Sequence, residues 1–394
     1  MTVRQPARAY NDHNVYILGA GFSVEAGLPL MKDFMNRMRD AQEWLERQAH
    51  REQEIEAIKN VLDFRAEAAA AAYRVPLDLE NIEELFSLVA ASGSNELWEQ
   101  VTIAIAATLE HSSAIALKPE LIPVTRLLDT AWEKPPNWLF RHDLKDSYGP
   151  QAKGSVYSCP IYELYLGLLC GYFNDGTDDR RDTVISLNYD TVVEDALSGL
   201  GLPYRYADNE MVEWRPRRPW TDVDRRPIAV LKLHGSLNVA ARLQRDIDVL
   251  QLIAYPSYQC LRSERQWPIL VAPTWQKSFG GYLSAVWQEA VSVLRTATRV
   301  VMMGYSVPKT DQHFRYLLAA GLQENISLRR VVIVNSDDSK EFRQRLCWLF
   351  RPEQLEQNGI VTVIPRTVRQ FLVSENGGYR IGRPFKDGAW RLAN

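Results

Sequence analysis

The sequence predicts an α/β protein: a doubly wound parallel sheet with a large helical insertion after its first strand. Three observations predict it. Short β-branched runs follow one another after residue 180: "TVISL" at 183, "IAVLKL" at 228, "TRVVMM" at 298, "RVVIV" at 330 and "IVTVI" at 360. Helical patterns separate them, among them "TVVEDALSGLG", "GYLSAVWQEAVSVLRTA", "DQHFRYLLAAGL" and "SKEFRQRLCWLF". Strands alternating with helices imply right-handed crossovers and a sheet covered on both faces. A lone apolar strand, "NVYILG" at 14–19, stands far upstream of the others, and the chain between about 28 and 175 is predominantly helical in character.

Taken in order, the first strand runs into "GAGFSVEAGLP", whose glycines mark a tight turn. The run from "MKDFMNRMRDAQEWLERQAH" to "AEAAAAAYR" has strong helix formers throughout and no proline. "DLENIEELFSLVAASG" repeats Ile82, Leu85, Phe86 and Val89, which fall on one helical face. The stretch 132–154 carries the Pro, Gly and charge of a loop or exposed linker. These patterns assign 14–30 and 180–365 to the sheet domain, 31–179 to the insertion and 366–394 to a C-terminal extension.

Composition sets limits on function. With 394 residues, 46% of them hydrophobic, and eleven tryptophans, the chain buries a substantial core. A formal charge of −3 gives no general attraction to nucleic acid or anionic membranes. The local basic cluster "WRPRRPW" at 214–220 is followed by Asp222 and Asp224 and reads as a solvated loop. The polar amino terminus lacks the apolar core of a signal peptide, and no stretch approaches the roughly 18 apolar residues of a spanning helix. A cytoplasmic protein is expected. Cys159, Cys170, Cys260 and Cys347 lie far apart with no CxxC pair, so neither a zinc ribbon nor a disulfide framework is expected. His13, His50, His111, His142 and His313 show no metal spacing.

Ligands of such sheets bind beyond the carboxyl ends of the strands. The five ends in question read "GAGFS", "NYD", "HGS", "GYS" and "NSD", all small or polar. Any one is explained by a cap or a turn, but five on one edge of a sheet define a binding crevice. Gly19, Gly21 and Gly27, around Phe22 and Ser23, suit close approach of backbone to a pyrophosphate at a helix N-terminus. The spacing GxGxxxxxG is not that of common dinucleotide dehydrogenases, whose acidic residue ends a second strand. Asp40, at the corresponding distance, sits inside a helical pattern, so the dehydrogenase reading fails.

As an ordered set, "GAGFSVEAGLP", "LNYD", "KLHGSLN", "MMGYS" and "VNSD" resemble the Sir2 (sirtuin-like) NAD-binding domain, a Rossmann-like fold. The likeness is closer to the prokaryotic SIR2-like branch, whose members look like "FNYD", "KLHGS" and "IGYSLPxTDxxFRxLL". The last reads "MMGYSVPKTDQHFRYLL" here, from Met302 to Leu318, and "APTWQKSFGGYLSAVWQEA" also looks familial. The resemblance spans 14–30 and 180 to about 340. Two departures from deacylase sirtuins matter: both CxxC pairs of the zinc module are missing, and "GLPLMKDF" replaces "GIPDFR".

The resemblance therefore implies hydrolysis of NAD+ to ADP-ribose and nicotinamide, as an abortive-infection effector against phage. NAD+ is then the substrate, and no zinc is expected. Asn188 holds water or ribose, and His234 acts on a ribose hydroxyl or the water as general base, a role imidazole side chains take at neutral pH. Asp190 contacts the nicotinamide amide or ribose, or caps the following helix. Gly19, Ala20, Gly21, Phe22 and Ser23 line the cofactor crevice. Gly304, Tyr305 and Ser306 contact phosphate or ribose, while Asn335 and Ser336 approach the adenosine ribose or cap a helix. Asp311 and Arg315 form an i,i+4 helix pair or a structural bridge under the site, the structural role being favoured, and Trp275 and Lys277 are expected near the pocket mouth. The alternatives are a non-catalytic NAD or ADP-ribose sensor and, disfavoured by the missing cysteines, a protein deacylase. Hydrolysis and cyclisation share the same first cleavage, and both stay open. Expected partners are further copies of the chain and a HerA-type ATPase or another co-encoded defence subunit.

Overall fold

In the computed structural model the described residues are 13–116, 121–123, 140–143, 155–170, 181–207, 212–214, 226–244, 249–271, 282–308, 311–355 and 359–373. Seven parallel strands form the central sheet: β1 (His13–Leu18), β2 (Arg181–Ser186), β3 (Tyr204–Arg205), β4 (Ile228–Lys232), β5 (Arg299–Met303), β6 (Arg330–Asn335) and β7 (Val361–Pro365). Their order across the sheet is β7-β6-β5-β1-β2-β4-β3, so the chain winds outward from β1 in both directions.

Alternation along the strands builds two cores, because successive side chains point to opposite faces. Tyr16, Leu18, Val184, Val230, Val301, Met303, Val332 and Val334 face the helices Ile161–Leu169, Val192–Leu200 and Val368–Leu372. Val15, Ile17, Ile185, Leu231, Val300, Met302, Val331 and Ile333 face Tyr282–Thr296, Gln312–Leu322 and Lys340–Leu349. The sheet is thus doubly wound, as its near-continuous apolar strands require.

A third core belongs to the helices Phe34–Leu45, Glu52–Ala72, Ile82–Ser92 and Asn95–Ile115. Ile82, Leu85, Phe86 and Val89 are buried in it together, as their spacing predicts. The run from 31 to 74 is nevertheless two helices, broken at 46–51 where His50 takes a φ of 63°. No Gly or Pro marks that break; a buried charge cluster does, with Arg51 paired to both Glu54 and Glu110. Leu237, Tyr258 and Leu270 join this core from the sheet side, so the insertion rests on the loops that follow β4.

The sequence does not anticipate two details. Within 31–179, Leu121–Pro123, Ser155–Pro160 and Phe140–Asp143 form a small antiparallel sheet, the last inside the stretch read as a loop or linker. The residues from 366 begin with the helix Val368–Leu372, fixed by a Thr367–Gln370 capping box and buried against the sheet. The basic cluster at 215–220 and residues 374–394 lie outside the described residues.

Candidate functional site

The sheet changes winding direction at β1, which places the ends of β1, β2, β4 and β5 around one crevice. The glycine loop opens it. Gly19 N donates to Met303 O (3.0 Å) and Gly21 N to Gly304 O (2.9 Å), stitching the end of β1 to that of β5. The fit is backbone against backbone: a Cβ on Gly21 would stand 2.9 Å from the Gly304 oxygen, and one on Gly304 only 2.4 Å from Phe22 N. Gly304 also holds a φ of 64°. These glycines therefore have a cause in packing before any ligand is considered.

Phe22 departs from its expected place. Its ring is buried in the sheet's core, 5.6 Å from Tyr162 and 6.1 Å from Tyr165, so its side chain does not line the crevice. Tyr162 holds the loop from behind, donating to Phe22 O (3.0 Å) and accepting from Ala26 N (2.9 Å). Ser23, by contrast, meets Asn188: the Asn188 amide Nδ2 donates to Ser23 Oγ and to Gly19 O, both at 3.0 Å. Since the Gly19 carbonyl can only accept, it fixes which way the amide points. Both amide hydrogens are thereby used, and Oδ1 is the remaining polar atom.

His234 follows β4 and stands beside Asn188. Its Nδ1 lies 3.1 Å from Leu187 O, and because a carbonyl accepts, the proton of the neutral ring resides on Nδ1. Nε2 is then the basic nitrogen. The ring is nearly buried, 9% exposed, and flanked by Tyr189 at 6.3 Å and Trp287 at 6.5 Å. Trp287 anchors itself by donating to Leu233 O (2.9 Å).

Asp190 serves the helix: its Oδ1 accepts from Val192 N at 3.0 Å. Behind the turn lies a pair that the sequence pattern hid. Lys232, buried at the end of β4, donates to Asp190 O and pairs with buried Glu194 at 3.5 Å. Burial pushes the Glu194 carboxyl up and the Lys232 charge draws it down. Tyr206 donates to Glu194 (3.2 Å), and Asn238 links Tyr206 to Ser236 (3.0 and 2.7 Å). This polar chain braces "NYD" against "HGS".

The remaining expected contacts are distributed unevenly. Tyr305 is buried and donates to Asp311 Oδ2 (2.8 Å), so its phenol is spent inside the fold and not on a phosphate. Asp311 also caps its helix at Phe314 N (3.3 Å), while Arg315 lies over the Trp348 ring at 5.2 Å, so both hold the fold, though not as a side-chain pair with each other. Asn335 binds Tyr305 O (2.8 Å) and Asp337 N (2.9 Å), tying the ends of β5 and β6 together. Ser336 is exposed, and the helix cap is Ser339, not "NSD". Arg345 donates to Ser306 O (2.9 Å) and pairs with Asp337 (3.1 Å). Trp275 and Lys277 lie outside the described residues.

A small apolar cavity of about 40 Å³ adjoins the crevice between Lys232, Ser236, Val230, Leu283 and Val286. A far larger cleft opens at the opposite edge of the sheet, away from these residues. Among the described residues no His, Cys, Asp and Glu group has a metal-binding arrangement, and no helix is long and apolar enough to cross a membrane.

Fold and crevice together define a doubly wound, Rossmann-like α/β protein with a polar site at its switch point. Residues 182–362 match the SIR2-like domain family model. The match begins at β2, but β1 and its glycine loop are central to the same sheet. Solved sirtuins align along most of the chain. A Sir2 with the inhibitor EX-527, 2'-O-acetyl-ADP-ribose and deacetylated p53 peptide is 12% identical, covering 91% of this chain and 90% of that one, with a TM-score of 0.33. A structure addressing sirtuin substrate affinity is 13% identical over 93% and 94%, with a TM-score of 0.35. A Sir2 with p53 peptide and NAD+ is 12% identical over 91% and 90%, TM-score 0.33. No curated protein sequence matches the chain.

Proposed function

We propose that the protein is an NAD+ glycohydrolase, releasing nicotinamide and ADP-ribose. One observation carries the reading: Asn188, whose Oδ1 has no protein donor among the described residues, and His234, whose Nδ1 is held by Leu187 O so that Nε2 is the basic nitrogen, follow adjacent paired strands into the same crevice. The bond to be cleaved joins ribose to a pyridinium, so nicotinamide departs as a neutral ring with the bonding electron pair and needs no strong acid. The demand is for stabilising an oxocarbenium-like ribose and delivering water. Asn188 Oδ1 orients the water or the ribose diol. His234 Nε2 accepts the proton as the water oxygen bonds to the anomeric carbon.

Purified protein incubated with NAD+, with products separated by chromatography, tests this. Nicotinamide and ADP-ribose are expected in equal amounts, falling at least a hundredfold in Asn188→Ala and in His234→Ala. A cyclic product would redirect the reading to cyclisation. A second reading, a non-catalytic NAD or ADP-ribose sensor, draws on the fact that Asn188 Nδ2 and His234 Nδ1 both also serve backbone or loop partners. NAD+ binding without turnover, alone or with partners, would establish it. Deacylase activity is disfavoured by the absence of any CxxC pair. The motif resemblance extends the proposal to a cytoplasmic abortive-infection effector that assembles with further copies and with a HerA-type ATPase or another co-encoded subunit. Co-expression followed by sedimentation, and phage challenge of cells carrying Asn188→Ala, test that extension.

A further inference from the structure

The cleft at the other edge of the sheet has a volume of about 490 Å³ and is walled by the first residues of β2 and β4 and by Arg205 at the end of β3. Arg181, Arg205 and Arg226 stand around it, over a floor of Pro227, Ile228, Ala229 and Val293. Arg205 is paired with Glu289 at 2.7 Å. Arg181 and Arg226 are exposed and have no ion-pair or hydrogen-bond partner among the described residues. The wall's carboxylate, Asp182, accepts from Asn14 (3.0 Å), which accepts in turn from buried Arg299 (3.0 Å). The positive charge is felt inside the fold: after burial, Arg181 is the next cause that lowers His13 to about 4.

We infer that this cleft binds a phosphorylated small molecule of nucleoside monophosphate size. Two unpaired guanidiniums suit a phosphate dianion, which arginine takes by paired hydrogen bonds. The apolar floor suits a flat ring. The volume lies in the range of small-molecule sites. Five residue steps along the extended chain lead from Thr183 here to Asn188, so the two sites are roughly 16 Å apart. The inference is independent of what the other edge does.

Isothermal titration of the full chain with uridine 5'-monophosphate, which shares no base with NAD+, tests it. Binding is expected with one site per chain, weakened at least tenfold in Arg181→Gln/Arg226→Gln and unchanged in Asn188→Ala. Both arginines are exposed, and an unaltered melting temperature would verify that the double variant folds. Absence of binding overturns the inference. So does binding that survives the double variant, or inorganic phosphate binding as tightly as the nucleotide, which would reduce the cleft to a plain anion site.

Discussion

Lys232 shows how a single side chain holds the crevice together. Its ammonium is buried with Glu194 and donates to the carbonyl of Asp190. Removing one partner of such a pair leaves the other charge in a low dielectric without compensation. Lys232→Met is expected to cost roughly 3 kcal/mol, seen in chemical denaturation, with Lys232→Met/Glu194→Leu recovering part of the loss. His13 gives a pH signature. Burial first, and Arg181 second, lower it from 6.5 to about 4, while Thr183 and Thr296 hold its ring (3.1 and 3.0 Å). The unfolded chain therefore binds a proton between pH 6.5 and 4 that the folded chain refuses, so this contribution is whole above 6.5 and lost as pH falls toward 4. It amounts to about 3 kcal/mol at most, and His13→Gln should flatten the stability profile across that window. Asn188 and His234 were legible because polar residues ending apolar strands stand out. Lys232 and Glu194 were not: one charge in "IAVLKL" and one in an amphipathic helix look like solvated positions, and only three-dimensional pairing shows otherwise.

Between elements, the tightest joint is the glycine loop against the end of β5. Gly304→Ala puts a Cβ into a left-handed residue and against the Phe22 amide, and is expected to cost roughly 2–4 kcal/mol from backbone strain and overpacking together. Thermal unfolding measures it, and Gly93→Ala, at a similar φ with open space around it, isolates the strain alone. Strands of five or six residues were legible from their β-branched runs. The two-residue β3 was not, because "YR" has too little pattern to register, and its place is set by pairing with Ile228 and Ala229. Nor was the break at 46–51, since nothing in local propensity signals it. Phe22 misled for a related reason: a residue inside a ligand-binding motif need not face the ligand, and the aromatic pocket of Tyr162 and Tyr165 lies 140 residues or more along the chain.

On the scale of the molecule, the insertion and the sheet meet at Glu54, which pairs with Arg51 (3.0 Å) from the break just before its helix and with Arg262 (3.2 Å) from the short helix Tyr258–Ser263 beyond β4. Arg262 also lies over the Trp267 ring at 3.5 Å. Glu54→Ala leaves Arg262 without its carboxylate and Arg51 with Glu110 alone at a largely buried junction, and is expected to lower stability by roughly 3 kcal/mol, with faster proteolysis of the insertion than of the sheet. The division into a sheet and a helical insert was legible from the change of texture near residue 180; the docking between them was not, because it depends on charges separated by 208 positions. That same interruption has a consequence in time. β1 lies at the centre of the sheet, yet its neighbours begin 168 and 285 residues later. During synthesis at about 5–20 residues per second, β1 and its glycine loop wait roughly 15–60 s for β5 to be made. Asn188 can be seated on Gly19 once β2 is made, but Met303 and Gly304 cannot close the glycine loop until β5 follows. A chain ended before β5 thus holds Asn188 and His234 without the strand that closes the crevice around them.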